Sequence, residues 1–209
     1  MRLRYVFSAA LALGAASAAS TFAEVTVDKS APTYAKATVG EQTPVVITVT
    51  SPTIKANETI PVDHTADGKN ESPALAWSGA PANTKQFALV YDDPDVVFGG
   101  QTFVHWLVYK IPGTAKGLPA NLPIDQVTLT GPPDIAGSIQ GLSGFKRALY
   151  RGPAPPPGKP HHYTWTVYAL DAELPLTEGL SRNQLMEAMQ GHIIGQGSLV
   201  AIYERKAKQ

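Results

Sequence analysis

Apolar residues recur along this chain at period two or in short unbroken runs, the pattern of strands, and only once at clear helical spacing. Val45-Val-Ile-Thr-Val-Thr50 is β-branched and reads as the first firm strand. Thr59-Ile-Pro-Val-Asp63 and Ala74-Leu-Ala-Trp77 predict two shorter ones. Phe87-Ala-Leu-Val-Tyr91 is nearly continuous in apolar residues, as expected of a buried strand. Phe103-Val-His-Trp-Leu-Val-Tyr109 follows, and Pro112 and Gly113 close it. Val127-Thr-Leu-Thr130, His161 to Leu170 and Leu199-Val-Ala-Ile-Tyr203 complete the set. The helix runs from Ser181 to Gln190: Ser181 and Gln184 have capping-box spacing, Leu185 and Met189 share a face, and Gly191 can end it. Residues 113–162 are rich in glycine and proline with little periodicity, and so long an irregular segment inside a compact domain is usually functional. The pattern predicts one mainly β domain with a late helix.

Composition narrows the function classes. Of 209 residues, 44% are hydrophobic, enough for a real core. The 17 basic residues balance the 17 acidic ones, so no general electrostatic case for nucleic acid exists. Cysteine is absent, which excludes disulfides, zinc knuckles and thiol catalysis. Met1-Arg-Leu-Arg4 followed by an alanine-rich apolar run predicts a cleaved leader over residues 1–23, cut after Ala23, with Ala16-Ser-Ala18 as the alternative site. That run is shorter than the ~20 residues a membrane span needs. Cleavage would remove Arg2 and Arg4 and no acid, leaving the mature chain slightly acidic. Residues 24–44 read as a polar extension and 45–209 as the domain, with a periplasmic or secreted location and no membrane span after cleavage.

The candidate chemistry gathers around Arg151-Gly-Pro-Ala-Pro-Pro-Pro-Gly-Lys-Pro-His-His-Tyr163, a proline-stiffened approach to a strand that opens on two histidines. Alternation puts His161, Tyr163 and Trp165 on one face and His162 and Thr164 on the other. The same rule puts His105 with Phe103 and Leu107, and Trp106 on the opposite face. Asp92-Asp-Pro-Asp95 reads as a stiff acidic turn, in which Asp93 or Asp95 can accept a hydrogen bond from an imidazole and fix its tautomer. Three readings fit these residues: turn formers and satisfied core histidines, a His/Asp metal site, or an anion pocket whose potential Arg151 and Lys159 raise. No His-Glu-x-x-His, Gly-x-Ser-x-Gly or Walker motif is present, and no nucleophile has an evident base. A non-enzymatic protein without cofactor or metal is therefore expected.

Several separated motifs in one order resemble the phosphatidylethanolamine-binding protein family, and more closely its bacterial Raf-kinase-inhibitor-like branch. They are Asp67-Gly-Lys-Asn-Glu-Ser-Pro-Ala-Leu-Ala-Trp77, Asp93-Pro-Asp95, His105-Trp106 and Gly152-Pro…Pro157-Gly…His161-His-Tyr163, and the match runs from about Thr53 to Arg205. The resemblance implies a large antiparallel sheet packed with a smaller one and a helix near the C-terminus. It also implies a small pocket for phosphate-like anions, including phospholipid headgroups. Residue by residue, the family's ligand-binding positions fall on Asp93, Asp95, His105, Gly152, Pro153, His161 and Tyr163. In this reading an aspartate holds an imidazole as a cation, and His105, His161 and Tyr163 donate to the anion's oxygens.

The chain departs from the family pattern in two places. Val96 and Val97 stand where a small residue and a proline are common after Asp-Pro-Asp, and an export leader precedes the domain. The expected function is an exported module that binds a small anion or phosphorylated headgroup. The alternatives are an inhibitor or regulator of another protein, for example a protease, acting through 113–162, and a hydrolase or metalloenzyme reusing the pocket.

Overall fold

The computed structural model describes residues 43–206, so the expected leader and nearly all of the 24–44 extension lie outside the described residues. The fold is mainly β. Strands β1 (Val45–Val46), β9 (Ile193–Tyr203), β8 (His161–Leu170), β4 (Gln86–Phe98), β5 (Gln101–Pro112) and β7 (Ile139–Gln140) form a six-stranded sheet in that spatial order. It is antiparallel except at its β1 edge, which runs parallel to β9. A three-stranded sheet contains β2 (Thr48–Thr50), β3 (Leu75–Ser78) and β6 (Gly117–Leu118). Helix α1 (Arg182–Met189) lies near the C-terminal end, and Gln184 Oε1 accepts from both the N–H and the Oγ of Ser181 (3.0 and 2.8 Å). Among the described residues no helix is long and apolar enough to cross a membrane.

The nearly unbroken apolar run of β4 reflects burial on both faces. Phe87, Leu89 and Tyr91 enter a core shared with Val49, Leu75 and Trp77 of the smaller sheet. Ala88 and Val90 enter a second core with Leu185 and Met189 of α1. A strand covered on both sides has no polar face to alternate with.

Three expected elements differ from the sequence pattern. Val45–Thr50 is not one strand: it breaks at buried Ile47, sending β1 to the large sheet and β2 to the small one. The crossing requires Gly197, where an added Cβ would sit 1.7 Å from the Ile47 carbonyl oxygen. Of Thr59–Asp63, only Thr59 bridges a strand, at Ile202, and Val62–His64 is a 3-10 turn after Pro61, which has no N–H for a ladder. Of Val127–Thr130, only Thr128 forms a bridge, to Ile139.

The irregular segment between β5 and β8 is pinned from inside by Gln140. Its amide nitrogen donates to the carbonyls of Pro123 and Gln126 (2.7 and 2.8 Å), and its Oε1 accepts from the Trp106 indole (2.6 Å). A fully buried side chain on β7 with its polar atoms satisfied in this way ties the stretch from Pro123 to Gln126, which lies outside the strands, to β5.

Candidate functional site: an imidazole-lined cavity

A cavity of about 270 Å³ opens at one end of the large sheet. Asp93, His105, His161 and Tyr163 line it, together with Arg151, Val96, Phe103, Phe145 and the proline run. Of the expected ligand-binding residues, Asp95, Gly152 and Pro153 stand behind this wall or beside it and do not line the cavity.

His105 reaches the cavity through a bulge. Tyr91 pairs with Trp106 and Asp92 with Val104, so His105 is the extra residue on β5. A bulge puts neighbouring side chains on one face, which strict alternation forbids. The expected face assignment is corrected accordingly. His105 keeps company with Phe103, but Trp106 joins it on the face toward the small sheet, and Leu107 points to the helix side. The imidazole is ringed by Tyr91, Tyr163, Phe103 and Phe145, with ring centres 5.3–5.6 Å away. Its Nδ1 lies 2.8 Å from the Arg151 carbonyl oxygen. A carbonyl only accepts, so Nδ1 carries the hydrogen and Nε2 is the nitrogen left for a guest.

β4 is irregular opposite this point. Asp93 pairs with Phe103 and Val97 with Thr102, leaving Pro94, Asp95 and Val96 outside the ladder. The expected acidic turn is therefore an excursion within a long strand. Each aspartate takes its own histidine. Buried Asp93 accepts from the Nδ1–H of His161 at Oδ2 (2.8 Å) and from the Asp95 N–H at Oδ1 (2.9 Å). Asp95 Oδ2 accepts from the backbone N–H and ring Nδ1–H of exposed His162 (2.6 and 2.9 Å). The alternation expected for β8 holds: His161 and Tyr163 turn to the cavity and His162 faces away.

The electrostatics correct the role expected of His105. Burial pushes its pKa below the ordinary imidazole value, and the opposing pull of the Arg151 carbonyl is smaller. His105 is therefore a neutral ring with a lone pair at Nε2, not a cationic donor. Burial, then the charge of Asp93, pushes the Tyr163 hydroxyl far up, so it stays protonated. The backbone N–H of His162 is the main cause holding Asp95 below the usual carboxylate range.

The His105 shift has a consequence for stability. The unfolded chain binds this proton at higher pH than the folded one, so the contribution is present above about pH 6.5 and is lost as pH falls below it. Urea midpoints are expected to drop from pH 7 to pH 5, and His105→Gln is expected to lose part of that slope. An identical slope in the variant would assign the acid sensitivity elsewhere.

A family model for phosphatidylethanolamine-binding proteins matches residues 50–204. The chain belongs to that family. A UPF0098 protein of Methanothermobacter thermautotrophicus is 42% identical over 146 residues, covering 70% of this chain and 91% of the relative. The crystal structure of Escherichia coli YbcL, described as a new member of the mammalian PEBP family, superposes with a TM-score of 0.66 at 33% identity, covering 77% of this chain and 99% of that one. That of a PEBP homologue from Chlamydia trachomatis gives a TM-score of 0.67 at 30% identity, again covering 77% and 99%.

In this PEBP-family chain the Asp67–Trp77 motif works behind the cavity. Asn70, in the left-handed region at φ 60°, accepts the Gly152 N–H at Oδ1 (2.8 Å), and Asp67 accepts from the Tyr203 hydroxyl and Arg205 Nε (3.0 and 2.8 Å). The Pro153 carbonyl accepts from the Ala66 N–H (2.9 Å). Gly152 and Pro153 are thus the seam between that motif and the cavity wall. Asn70 was missed because its partner lies far along the chain, although an asparagine after Gly-Lys is itself a turn signal. The apolar lining, Phe103 and Phe145, gave no sequence signal distinct from core. Among the described residues no group of three or more His, Asp or Glu side chains is placed to hold a metal ion.

Proposed function

We propose that the cavity binds a small oxyanion of the phosphate class, free or as a phosphorylated headgroup, and that the protein is a binding module and not a catalyst. The observation that carries this reading is the pairing of buried Asp93 with the half-buried His161 at a cavity wall. Asp93 spends both oxygens on His161 and the Asp95 N–H, so its charge is directed at the ring and away from a guest. The ring keeps Nε2 for the guest and, when protonated, offers an N–H with a positive charge. Arg151 adds a second positive charge at the rim, with its guanidinium carbon 4.8 Å from the Phe145 ring centre. The Tyr163 hydroxyl is a further donor.

Calorimetric titration with phosphate and with phosphoethanolamine near pH 6 tests the reading. A charge-assisted hydrogen bond contributes about 1.5–3 kcal/mol, so His161→Ala is expected to weaken both ligands by at least about tenfold. Unchanged affinity in that variant would sink the proposal.

A further inference from the structure

The β4–β5 hairpin ends in Val97-Phe98-Gly99-Gly100, and Val97 and Phe98 are 66% and 81% exposed. Both glycines have positive φ (62° and 80°), which lets the chain turn back within two residues and leaves the apolar pair standing at the apex.

Its surroundings are basic. Phe98 shares a surface cleft with Lys146 and Arg182, and Val96 shares the cavity rim with Phe145 and Arg151. Lys146, Arg147 and Arg151 are exposed, and none makes an ion pair with a described residue. Between Asp134 and Asp171 the chain has no acidic residue but carries Lys146, Arg147, Arg151 and Lys159. The aspartates at this end are engaged: Asp92 with the Thr102 hydroxyl and beside Arg182, Asp93 with His161, Asp95 with His162. Phe145, 37% exposed, adds a third apolar group next to the cations.

We propose that this end of the molecule docks on an anionic lipid bilayer, with Val97 and Phe98 entering the headgroup–acyl boundary and Lys146, Arg147 and Arg151 facing lipid phosphates. The shape favours a bilayer over a protein partner. A stable protein interface buries roughly 800 Å² on each side around a packed apolar centre. A protruding two-residue tip supplies no such centre, whereas a bilayer receives a protrusion without a complementary pocket. Basic residues near such a surface gain from its diffuse negative potential without fixed partners. The proposal stands on the surface and does not depend on what the cavity holds.

Co-sedimentation with phosphatidylcholine vesicles, with and without phosphatidylglycerol, tests it. Binding is expected only with phosphatidylglycerol and should weaken as salt rises. Val97→Ser with Phe98→Ser is expected to weaken vesicle binding by about tenfold or more while phosphate affinity stays unchanged. Lys146→Gln with Arg147→Gln should weaken it on the order of twentyfold, at about fivefold per charge. All variants share one N-terminus, so its contribution cancels. Vesicle binding that is absent in the wild type, or equal in the Val97/Phe98 variant, overturns the proposal, as does a tip that captures a protein and no vesicle. A wild type that binds vesicles but not phosphate overturns the cavity reading alone.

Discussion

Near pH 7 the protein is expected to bind phosphate about a hundredfold more tightly than sulfate. The reason lies in His105. Its Nδ1–H is committed to the Arg151 carbonyl and its ring is buried and neutral, so the cavity presents a lone pair at Nε2. Phosphate at this pH carries a hydroxyl that can donate to it; sulfate carries none. Two facing acceptors at the buried His105 ring leave both unsatisfied, at a cost of about 1–3 kcal/mol each. A total near 3 kcal/mol corresponds to roughly a hundredfold in affinity. The other route is to protonate His105, which burial opposes. In His105→Gln the amide can turn either its oxygen or its NH₂ to the guest, and the ratio should contract to about tenfold or less. Parallel calorimetric titrations with the two anions measure it, and equal wild-type affinities would remove His105 from the account.

Gly152→Ala is expected to destabilise the fold by about 2–3 kcal/mol, the upper range for overpacking. An ideal Cβ there would lie 2.2 Å from the His64 carbonyl oxygen and 2.7 Å from the Thr65 Cα, both backbone atoms. That backbone cannot easily yield. The Tyr150 hydroxyl donates to the His64 carbonyl (2.6 Å), the Ala66 N–H to the Pro153 carbonyl (2.9 Å), and the Gly152 N–H to Asn70 (2.8 Å). Any relief moves Arg151, whose carbonyl orients His105, so phosphate affinity should fall with stability. Gly144→Ala is the comparison: its Cβ would meet the Phe103 ring at 2.8 Å, a side chain that can swing aside, and its cost should be smaller. Urea unfolding with an unchanged m-value reads both. A Gly152→Ala protein as stable as the wild type would mean that the seam is loose.

Much of the fold is local and therefore legible. His161 to Thr166 alternates as a strand covered on one face must, bringing His161 and Tyr163 to the same side, while Val167 to Leu170 is apolar throughout because β8 is covered on both faces there. The Ser181/Gln184 spacing and the Leu185/Met189 pair mark α1 because capping and helical periodicity act within one or two turns. The run Phe87–Tyr91 announces burial, although its full extent to Phe98 is hidden where Pro94, Asp95 and Val96 leave the ladder.

What the sequence alone determined is the set of residues that can meet: the two aspartates, the three histidines, the tyrosine and the stiff approach to them. Tertiary structure decided how they meet. The bulge that brings His105 and Trp106 to one face arises from the mismatch between β4 and β5, and no period within β5 contains it. The pairing of Asp93 with His161 and Asp95 with His162 depends on where β8 ends against that irregular stretch of β4. The neutrality of His105 comes from burial among the rings closed around it, against the weaker opposing pull of a carbonyl that Arg151 supplies from a distant part of the chain. Periodicity is written in neighbouring residues, but register, burial and protonation are properties of the packed chain.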